Sequence, residues 1–254
     1  MTDQTVVSQE RINLAGLPDR VARVAEPYIR EVMRAAGGSL LSLSIVGSAV
    51  TPDYREGISD INNVLVLSRI GPVFLDALSG MGRGHGRRGI AAPLLMTPEY
   101  IQRSLDTFPL EFLSFRSSHI TVYGEDPFAN LRFEKTDVCR AVERELKGLL
   151  MNMRRGYVRC AGNRKRLKQV LLASLNSIQP AFSGLLYVSG VEAPAGKADT
   201  IAAAAKCAGV ASGPFEEVLR LRDSKSTPDF GTLRGTFGRL CDAVEAASVN
   251  IDRA

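Results

Sequence analysis

Hydrophobic residues in the first half of the chain recur at two alternating spacings, one helical and one extended. Across residues 18–36 they recur at three- and four-residue steps, which predicts an amphipathic helix, and the Gly37-Gly38 pair is typical of a helix end. Residues 40–48 alternate leucine and isoleucine with serine, which predicts a half-buried strand. The other elements predicted in this half are strands over 61–67, 90–96, 109–115 and 119–124, and helices over 72–79 and 97–105, the last with Thr97 as its N-cap.

The second half of the chain shows only the helical spacing. A long amphipathic helix is predicted from Asp137 to Cys160, followed by helices over 163–188, 197–209, 214–224 and 232–249 with short Gly-, Pro- and Ser-rich joints between them. Strand patterning stops near 130–137. The sequence therefore predicts an α+β protein, in which a mixed sheet flanked by helices (1–136) is followed by an all-α helical bundle (137–254).

Composition narrows the classes of protein that this chain can be. Hydrophobic residues make up 45% and charged residues 23%, which is an ordinary globular mixture. No apolar run approaches the ~20 residues that span a bilayer, and the N-terminus has no signal-peptide pattern, so we expect a cytoplasmic protein without a membrane partner. Two histidines and four cysteines, with no CxxC, argue against a zinc site.

The charge is distributed unevenly along the chain. Residues 1–136 carry 14 basic and 15 acidic side chains, a net charge of −1, whereas residues 137–254 carry 18 and 12, a net charge of +6. Seven of the cations fall between Arg154 and Lys168, but Tyr157 is the one aromatic residue among them, and nucleic-acid grooves use several for base stacking. We therefore do not expect a nucleic-acid partner, and a solvated helix face is the simpler interpretation.

A glycine-rich segment, GMGRGHGRRG over 80–89, imitates a dinucleotide-binding turn. Such a turn follows a strand and opens a helix, whereas here the glycines follow a predicted helix and precede a predicted strand. We predict a mobile connecting loop, whose arginines remain available to contact phosphate.

The residues that suggest chemistry lie around the first two predicted strands. Gly47-Ser48 ends the first strand and offers backbone N–H groups and a hydroxyl, which together can hold a phosphate. Asp60 and Asn62 open the second strand two positions apart and so share one face. Glu111 is an isolated acid within the apolar segment 109–115, and such a carboxylate faces either solvent or a site.

These residues resemble the pattern of the nucleotidyltransferase superfamily that includes DNA polymerase β. That pattern is a hydrophobic residue, Gly and Gly or Ser, a loop, then Asp-hydrophobic-Asp/Glu and a third acid on a later strand. Val46-Gly47-Ser48, Asp60-Ile61-Asn62 and Glu111 occupy those places. The chain is similar above all to stand-alone bacterial nucleotidyltransferase-like proteins with a helical C-terminal domain, which share the phrases at 59–62, 108–112 and 123–127. The resemblance covers about residues 40–130.

The resemblance implies transfer of a nucleoside monophosphate from a nucleoside triphosphate to a small-molecule or protein acceptor, with Mg²⁺ or Mn²⁺. It implies that Gly47, Ser48 and Asn62 bind the nucleotide. Asp60 and Glu111 would be the catalytic residues and the metal ligands, with Glu111 activating the acceptor hydroxyl.

The second acid of the family pattern is Asn62 in this chain, and Mg²⁺ prefers charged oxygen. Three outcomes are open: slow catalysis with one ion, recruitment of another acid such as Asp53 or Glu56, or loss of catalysis. The last would leave a catalytically inactive module that binds nucleotide or regulates a partner. A partner protein of the toxin–antitoxin type is a further alternative.

The basic helical half disfavours a polycationic aminoglycoside acceptor. The acceptor, the base and any homo-oligomer stay open.

Overall fold

The computed structural model describes residues 12–251, and the chain divides into two compact units. The first contains the residues up to Leu105 together with Phe115–Leu131, and the second contains Asp106–Ser114 together with the residues from Arg132 onward. The predicted limits of 1–136 and 137–254 stay a prediction. The α+β fold class is confirmed, because a mixed four-stranded sheet and a purely helical region follow each other along the chain.

The first unit is built on a sheet with strand order β3-β2-β1-β4. β1 is antiparallel to both β2 and β4, and β2 is parallel to β3. The strands are β1 (Leu40–Val46), β2 (Asn62–Leu67), β3 (Leu94–Met96) and β4 (His119–Gly124), and the accompanying helices are α1 (Asp19–Ala36), α2 (Pro72–Gly86) and α3 (Pro98–Arg103). The predicted cap of α3 is confirmed, since Thr97 Oγ1 accepts a hydrogen bond from the Tyr100 N–H at 3.2 Å.

Helix α1 supplies a large part of the core of this unit. Its apolar stripe packs against the sheet, and full burial of each such side chain stabilises the fold by about 1.5–3 kcal/mol. The buried members of this core include Val21, Ala25, Ile29 and Val32 from the helix and Leu43, Ile45, Leu65 and Leu67 from the strands. The predicted amphipathic helix is thereby confirmed.

Strand β1 differs from the prediction in its burial. The alternation predicted a strand with serines facing solvent, but Ser42 and Ser44 are only 3% and 1% exposed. The prediction of a half-buried strand is therefore wrong. β1 is an inner strand, and the Ser44 hydroxyl pairs with Thr121 Oγ1 on β4 at 2.9 Å, so this polar group is satisfied without water.

Three further elements depart from the prediction. The segment 109–115, predicted as a strand, is helical within α4 (Pro109–Ser117), because Leu110 and Leu113 recur at helical spacing and both are buried. The segment 80–89, predicted as a loop, continues α2 as far as Gly86. Of the predicted strand 90–96, only β3 and a single bridge between Ile90 and Ile61 are extended.

The second unit confirms the predicted run of helices. They are α5 (Lys135–Cys160), α6 (Arg164–Val188), α7 (Lys197–Cys207), α8 (Gly213–Asp223) and α9 (Phe230–Ile251). Gly184 of α6 lies against Leu110 and Val142, where an added Cβ would overlap both side chains, which explains why the start of α4 belongs to this unit. Among the helices within residues 12–251, none has the length and apolarity needed to cross a membrane.

We expect replacement of Gly124 by alanine to destabilise the sheet severely. Gly124 has φ +74°, and an added Cβ would overlap the Leu41 carbonyl oxygen on β1. Strain and overlap together should lower the free energy of unfolding by about 3 kcal/mol or more, as measured by urea denaturation. Gly38→Ala is the matched control, because nothing lies within 4 Å of its added Cβ. An equal loss in both variants would contradict this account.

Candidate functional site

The Gly47-Ser48 turn follows β1 directly. Gly47 has φ +75°, a conformation that favours glycine, and it begins one turn of 3₁₀ helix, Gly47–Val50. The Gly47 N–H donates to the Ser118 carbonyl at 2.9 Å, so this amide, which the sequence offered to a phosphate, is already engaged. The Ser48 hydroxyl is half-buried and has no hydrogen-bond partner within residues 12–251, which leaves it as the polar group of the turn that can meet a ligand.

Asn62 lies beside this turn. It opens β2 opposite Val46 in the antiparallel register, and a Cβ added at Gly47 would be 3.7 Å from Asn62 Nδ2. Asp60 precedes it by two residues, and both side chains are exposed. Ile61 between them is buried and bridges to Ile90, which anchors the end of the strand from which both polar residues project.

Asp60 also lines a cavity of about 320 Å³ whose other charged groups are basic. Arg20 comes from α1, and Arg87 and Arg88 follow α2 in the glycine-rich segment. Arg20 forms an ion pair with Glu56 at 2.8 Å, whereas Arg87 and Arg88 have no ion pair within the described part of the chain. Asp60 therefore sits in a locally positive environment that attracts anions.

Glu111 is exposed in the first turn of α4, in the second unit. The third acid was expected on a later strand, and that placement is wrong. The later strands β3 and β4, with the sequences LLM and HITVYG, carry no acid. Within residues 12–251, no three His, Cys, Asp or Glu side chains are grouped so that they could hold a metal ion. The catalytic and metal-binding roles of Glu111 stay predictions.

A buried hydrogen-bond chain that sequence reasoning missed supports the start of β2. Asn63 is 1% exposed; its Oδ1 accepts from the Tyr28 hydroxyl at 2.8 Å, and its Nδ2 donates to the Ala91 carbonyl at 3.1 Å. Burial raises the pKa of Tyr28 well above its usual range, although the bond to Asn63 opposes this, so the phenol stays a hydrogen-bond donor. The available signal was an asparagine inside an apolar strand, since such a buried amide needs partners.

A second polar pair, His119 and Asp126, lies at the start of β4, the strand on the other side of β1 from β2. His119 begins β4 opposite Val46, and its Nε2 lies 2.9 Å from Asp126 Oδ1. The same oxygen accepts from the backbone N–H groups of Phe128 and Ala129. Burial alone would raise the pKa of Asp126, but these N–H donors and His119 hold it below its usual range. His119 is largely buried, with 11% of its side chain exposed.

Comparison with known proteins gives one informative finding. No family model matches the sequence, and no curated protein matches it significantly. Among solved structures, the chain is similar to the spectinomycin adenyltransferase AAD(9) from Enterococcus faecialis, in a crystal structure with ATP and spectinomycin. The TM-score is 0.54 at 12% identity, over 88% of this chain and 98% of that chain. The chain has the nucleotidyltransferase fold.

This fold agrees with the resemblance carried by Gly47, Ser48 and Asp60. At 12% identity the likeness establishes the fold alone. Activity therefore has to be argued from the side chains of this chain.

We expect Asp126→Asn to remove stability that depends on pH. A carboxyl whose pKa is lowered by folding stabilises the folded state above its unfolded pKa of about 3.9, and loses that contribution as the pH falls through the folded value. Urea denaturation at several pH values should show wild type more stable than Asp126→Asn near neutrality. The difference should shrink in acid. Glu125→Gln, at an exposed neighbour, is the control and should run parallel to wild type. A gap between wild type and Asp126→Asn that does not change with pH would contradict the account.

Proposed function

We propose that the protein is a nucleotidyltransferase. It binds a nucleoside triphosphate at the ends of β1 and β2 and transfers the nucleoside monophosphate to a small-molecule or protein acceptor with the help of Mg²⁺ or Mn²⁺. The observation that carries the proposal is the Gly47-Ser48 turn lying against Asn62 on a nucleotidyltransferase fold.

The phosphates have two kinds of partner in the first unit. The Ser48 hydroxyl can donate to a phosphate oxygen, and Gly47 has no side chain to obstruct the approach. Arg87 and Arg88, which have no ion pair among the described residues and lie close to Asp60, can neutralise part of the charge of a triphosphate through bidentate hydrogen bonds. A positive surround also compensates for the absence of a second carboxylate, because it stabilises the same phosphate charge that a second metal ion would.

The donor set fits one metal ion. Mg²⁺ in nucleotide sites keeps several waters and is held by one or two carboxylates together with substrate phosphates. Asp60 supplies one exposed carboxylate and Asn62 one neutral amide oxygen, so a single ion shared with the triphosphate suits these residues. A pair of ions needs bridging carboxylates that Asn62 cannot provide.

The transfer step itself asks little of the protein beyond position and charge. An acceptor hydroxyl oxygen bonds to the α-phosphorus while the bond from that phosphorus to the oxygen that bridges to the β-phosphorus breaks, and pyrophosphate leaves with that bond's electrons. The acceptor proton passes to a base, and the role of Glu111 as that base stays a prediction. The bound metal ion would neutralise charge on the triphosphate. Asp60 would hold the ion, and Asn62 and Ser48 would orient the phosphates.

The charge around Asp60 selects among acceptors. An acceptor that approaches Asp60 meets Arg20, Arg87 and Arg88, and the chain as a whole carries a net charge of +5. A polycation is repelled by such a surface, whereas a neutral or anionic acceptor is not. We therefore place the acceptor among neutral or acidic compounds or proteins.

A second candidate function is nucleotide binding without transfer. Two observations favour it: Asn62 stands where the family pattern has an acid, and the described residues include no cluster of three potential metal ligands. Such a protein would still bind a nucleoside triphosphate through the turn and the arginines, and would respond to it by a change in stability or in partner binding.

We expect Asp60→Asn to remove the metal dependence of nucleotide binding. Isothermal titration of wild type with ATP should show tighter binding when Mg²⁺ is present. In the variant that increment should fall by roughly tenfold or more, since a charged contact contributes about 1.5–3 kcal/mol.

Asp76→Asn is the matched control. It makes the same change at an exposed position on α2 and should keep the Mg²⁺ increment. Absence of any ATP affinity in wild type, with or without Mg²⁺, would overturn both candidate functions. An equal loss in the two variants would instead mean that Asp60 does not hold the ion.

We expect Asn62→Asp to separate the two candidates. The change restores the second acid of the family pattern with almost no change in volume. In the metal-free protein the new carboxylate should repel that of Asp60 and so raise the pKa of one of the two groups, and Mg²⁺ should reverse that repulsion into tighter binding. If the wild-type site is catalytically inactive for lack of this oxygen, turnover of nucleoside triphosphate should rise by about a hundredfold, which needs only ~2.7 kcal/mol of transition-state stabilisation.

Ser68→Asp adds the same charge just beyond the other end of β2 and should leave turnover unchanged. Substantial wild-type turnover that Asn62→Asp does not improve would make Asn62 a working part of an active transferase. Inactivity of both proteins with all four triphosphates and a broad acceptor panel would favour the binding function.

A further inference from the structure

A second cavity in the first unit lies between α1 and the glycine-rich half of α2. Its volume is about 570 Å³, within the range of small-molecule sites. Arg30 and Arg34 line it from α1, Gly80 and Gly84 line it from α2, and Arg88 lines it just beyond the end of α2. Arg88 also lines the cavity at Asp60, but the proposed nucleotidyl transfer uses nothing else of this cavity.

The charges inside the cavity do not balance. Its two carboxylates already have partners, because Glu26 binds Arg30 at 2.7 Å and Glu31 Oε2 lies 2.7 Å from Nε2 of His85. Arg34 and Arg88 have no ion pair within residues 12–251. The three guanidinium groups of the cavity outnumber its two carboxylates, and the two without an ion pair, those of Arg34 and Arg88, line the same space, which suits an anion that accepts hydrogen bonds from both.

The α2 wall of the cavity contains glycines that neither packing nor backbone conformation requires. Gly80, Gly82, Gly84 and Gly86 lie within a helix, where glycine is the least favourable residue apart from proline. A Cβ added at any of the four would have nothing within 4 Å, and none has a positive φ. Neither packing nor backbone conformation therefore explains them. Gly80 and Gly84, one helical turn apart, add no side chain to a wall that Met81 and His85 also line.

His85, which also lines the cavity, carries a polar atom without a partner among the described residues. It is only 7% exposed, and its Nδ1 is buried without a hydrogen-bond partner in the described chain. Its ring packs edge-to-face on Tyr28 at 5.2 Å, and Tyr28 bonds to Asn63, so the cavity adjoins the polar chain that supports the start of β2.

We propose that this cavity binds a small anion bearing a phosphate group, through the guanidinium groups of Arg34 and Arg88. Phosphate carries close to two negative charges near neutral pH and accepts bidentate hydrogen bonds from arginine, whereas a single carboxylate would leave one guanidinium unmatched. The ligand is free phosphate or a phosphate monoester whose organic part lies over Gly80 and Gly84. The proposal shares Arg88 with the proposed nucleotide site, and Arg34 belongs to this cavity and not to the cavity at Asp60.

The test is isothermal titration of the full chain with inorganic phosphate at constant ionic strength, comparing two arginine variants. Arg34 lines this cavity and Arg87 lines the cavity at Asp60, so the two changes separate the sites. Arg34→Gln should weaken phosphate binding at least tenfold and Arg87→Gln less than twofold. The reverse order would assign phosphate to the Asp60 cavity and overturn the proposal, as would a wild type that binds no phosphate at millimolar concentration.

A second pair of variants tests the open wall without touching an arginine. Gly84→Glu places a negative charge in the cavity, while Gly82→Glu places the same charge on the opposite face of α2. Both should keep or raise the melting temperature, because glutamate favours helix. Only Gly84→Glu should lose phosphate binding, and an equal effect in the two variants would overturn the proposal. Ribose 5-phosphate binding more tightly than phosphate supports an organic ester as the ligand; equal affinity supports free phosphate.

Discussion

The antiparallel register between β1 and β2 is the constraint on which the candidate site depends. Pairing of Val46 with Asn62 brings the last residue of one strand and the first of the next together, so that Gly47 and the Asn62 amide become neighbours. A slip of one residue would exchange the two faces of a strand. It would withdraw Asn62 from the turn and turn Leu43 and Ile45 away from α1, at about 1.5–3 kcal/mol for each exposed side chain. The hydrophobic core thus fixes the position of the polar residues.

In this register two consecutive asparagines have different roles: Asn63 is part of the buried structure and Asn62 lies at the candidate site. Asn63 is almost inaccessible, and its amide is satisfied by Tyr28 of α1 and by the backbone carbonyl of Ala91. Asn62 is exposed beside the turn. A buried amide with its partners in place admits one arrangement, because any shift leaves polar groups unpaired in an apolar surround. Asn63 therefore holds the strand in the register that presents Asn62, and its own role needs no ligand.

The sequence predicted those features that depend on local spacing. Helix α1, the helices of the second unit, β2 and the neighbourhood of Gly47 and Asn62 follow from periodicity or from a short phrase. Predictions from the sequence were wrong where contacts between residues distant in sequence determine the structure. Ser42 and Ser44 are buried, although the alternation placed them on a solvent-facing side of the strand. The glycine-rich segment was predicted as a loop, but α2 continues through its four glycines. His85 in that segment contacts Glu31 and Tyr28 of α1, which are distant in sequence. Residues 109–115 alternate well enough for a strand, yet Leu110, Phe112 and Leu113 are all buried, which a helix face explains and an alternating strand does not.

The balance of charge at the ends of β1 and β2 constrains what the site can do more tightly than the fold does. A nucleotidyl transfer site must stabilise the charge of a triphosphate, and it can do so with metal ions held by carboxylates or with cations of the protein itself. This chain has one carboxylate at Asp60, an amide at Asn62, and, at the adjacent cavity, two arginines without an ion pair among the described residues. Arginine neutralises phosphate but does not bind an acceptor oxygen and lower its pKa, as a metal ion can. The substitution of amide for acid therefore preserves attraction for the nucleotide more fully than it preserves activation of the acceptor. The proposed transfer would therefore depend on a base for that activation, and the assignment of Glu111 to this role stays a prediction.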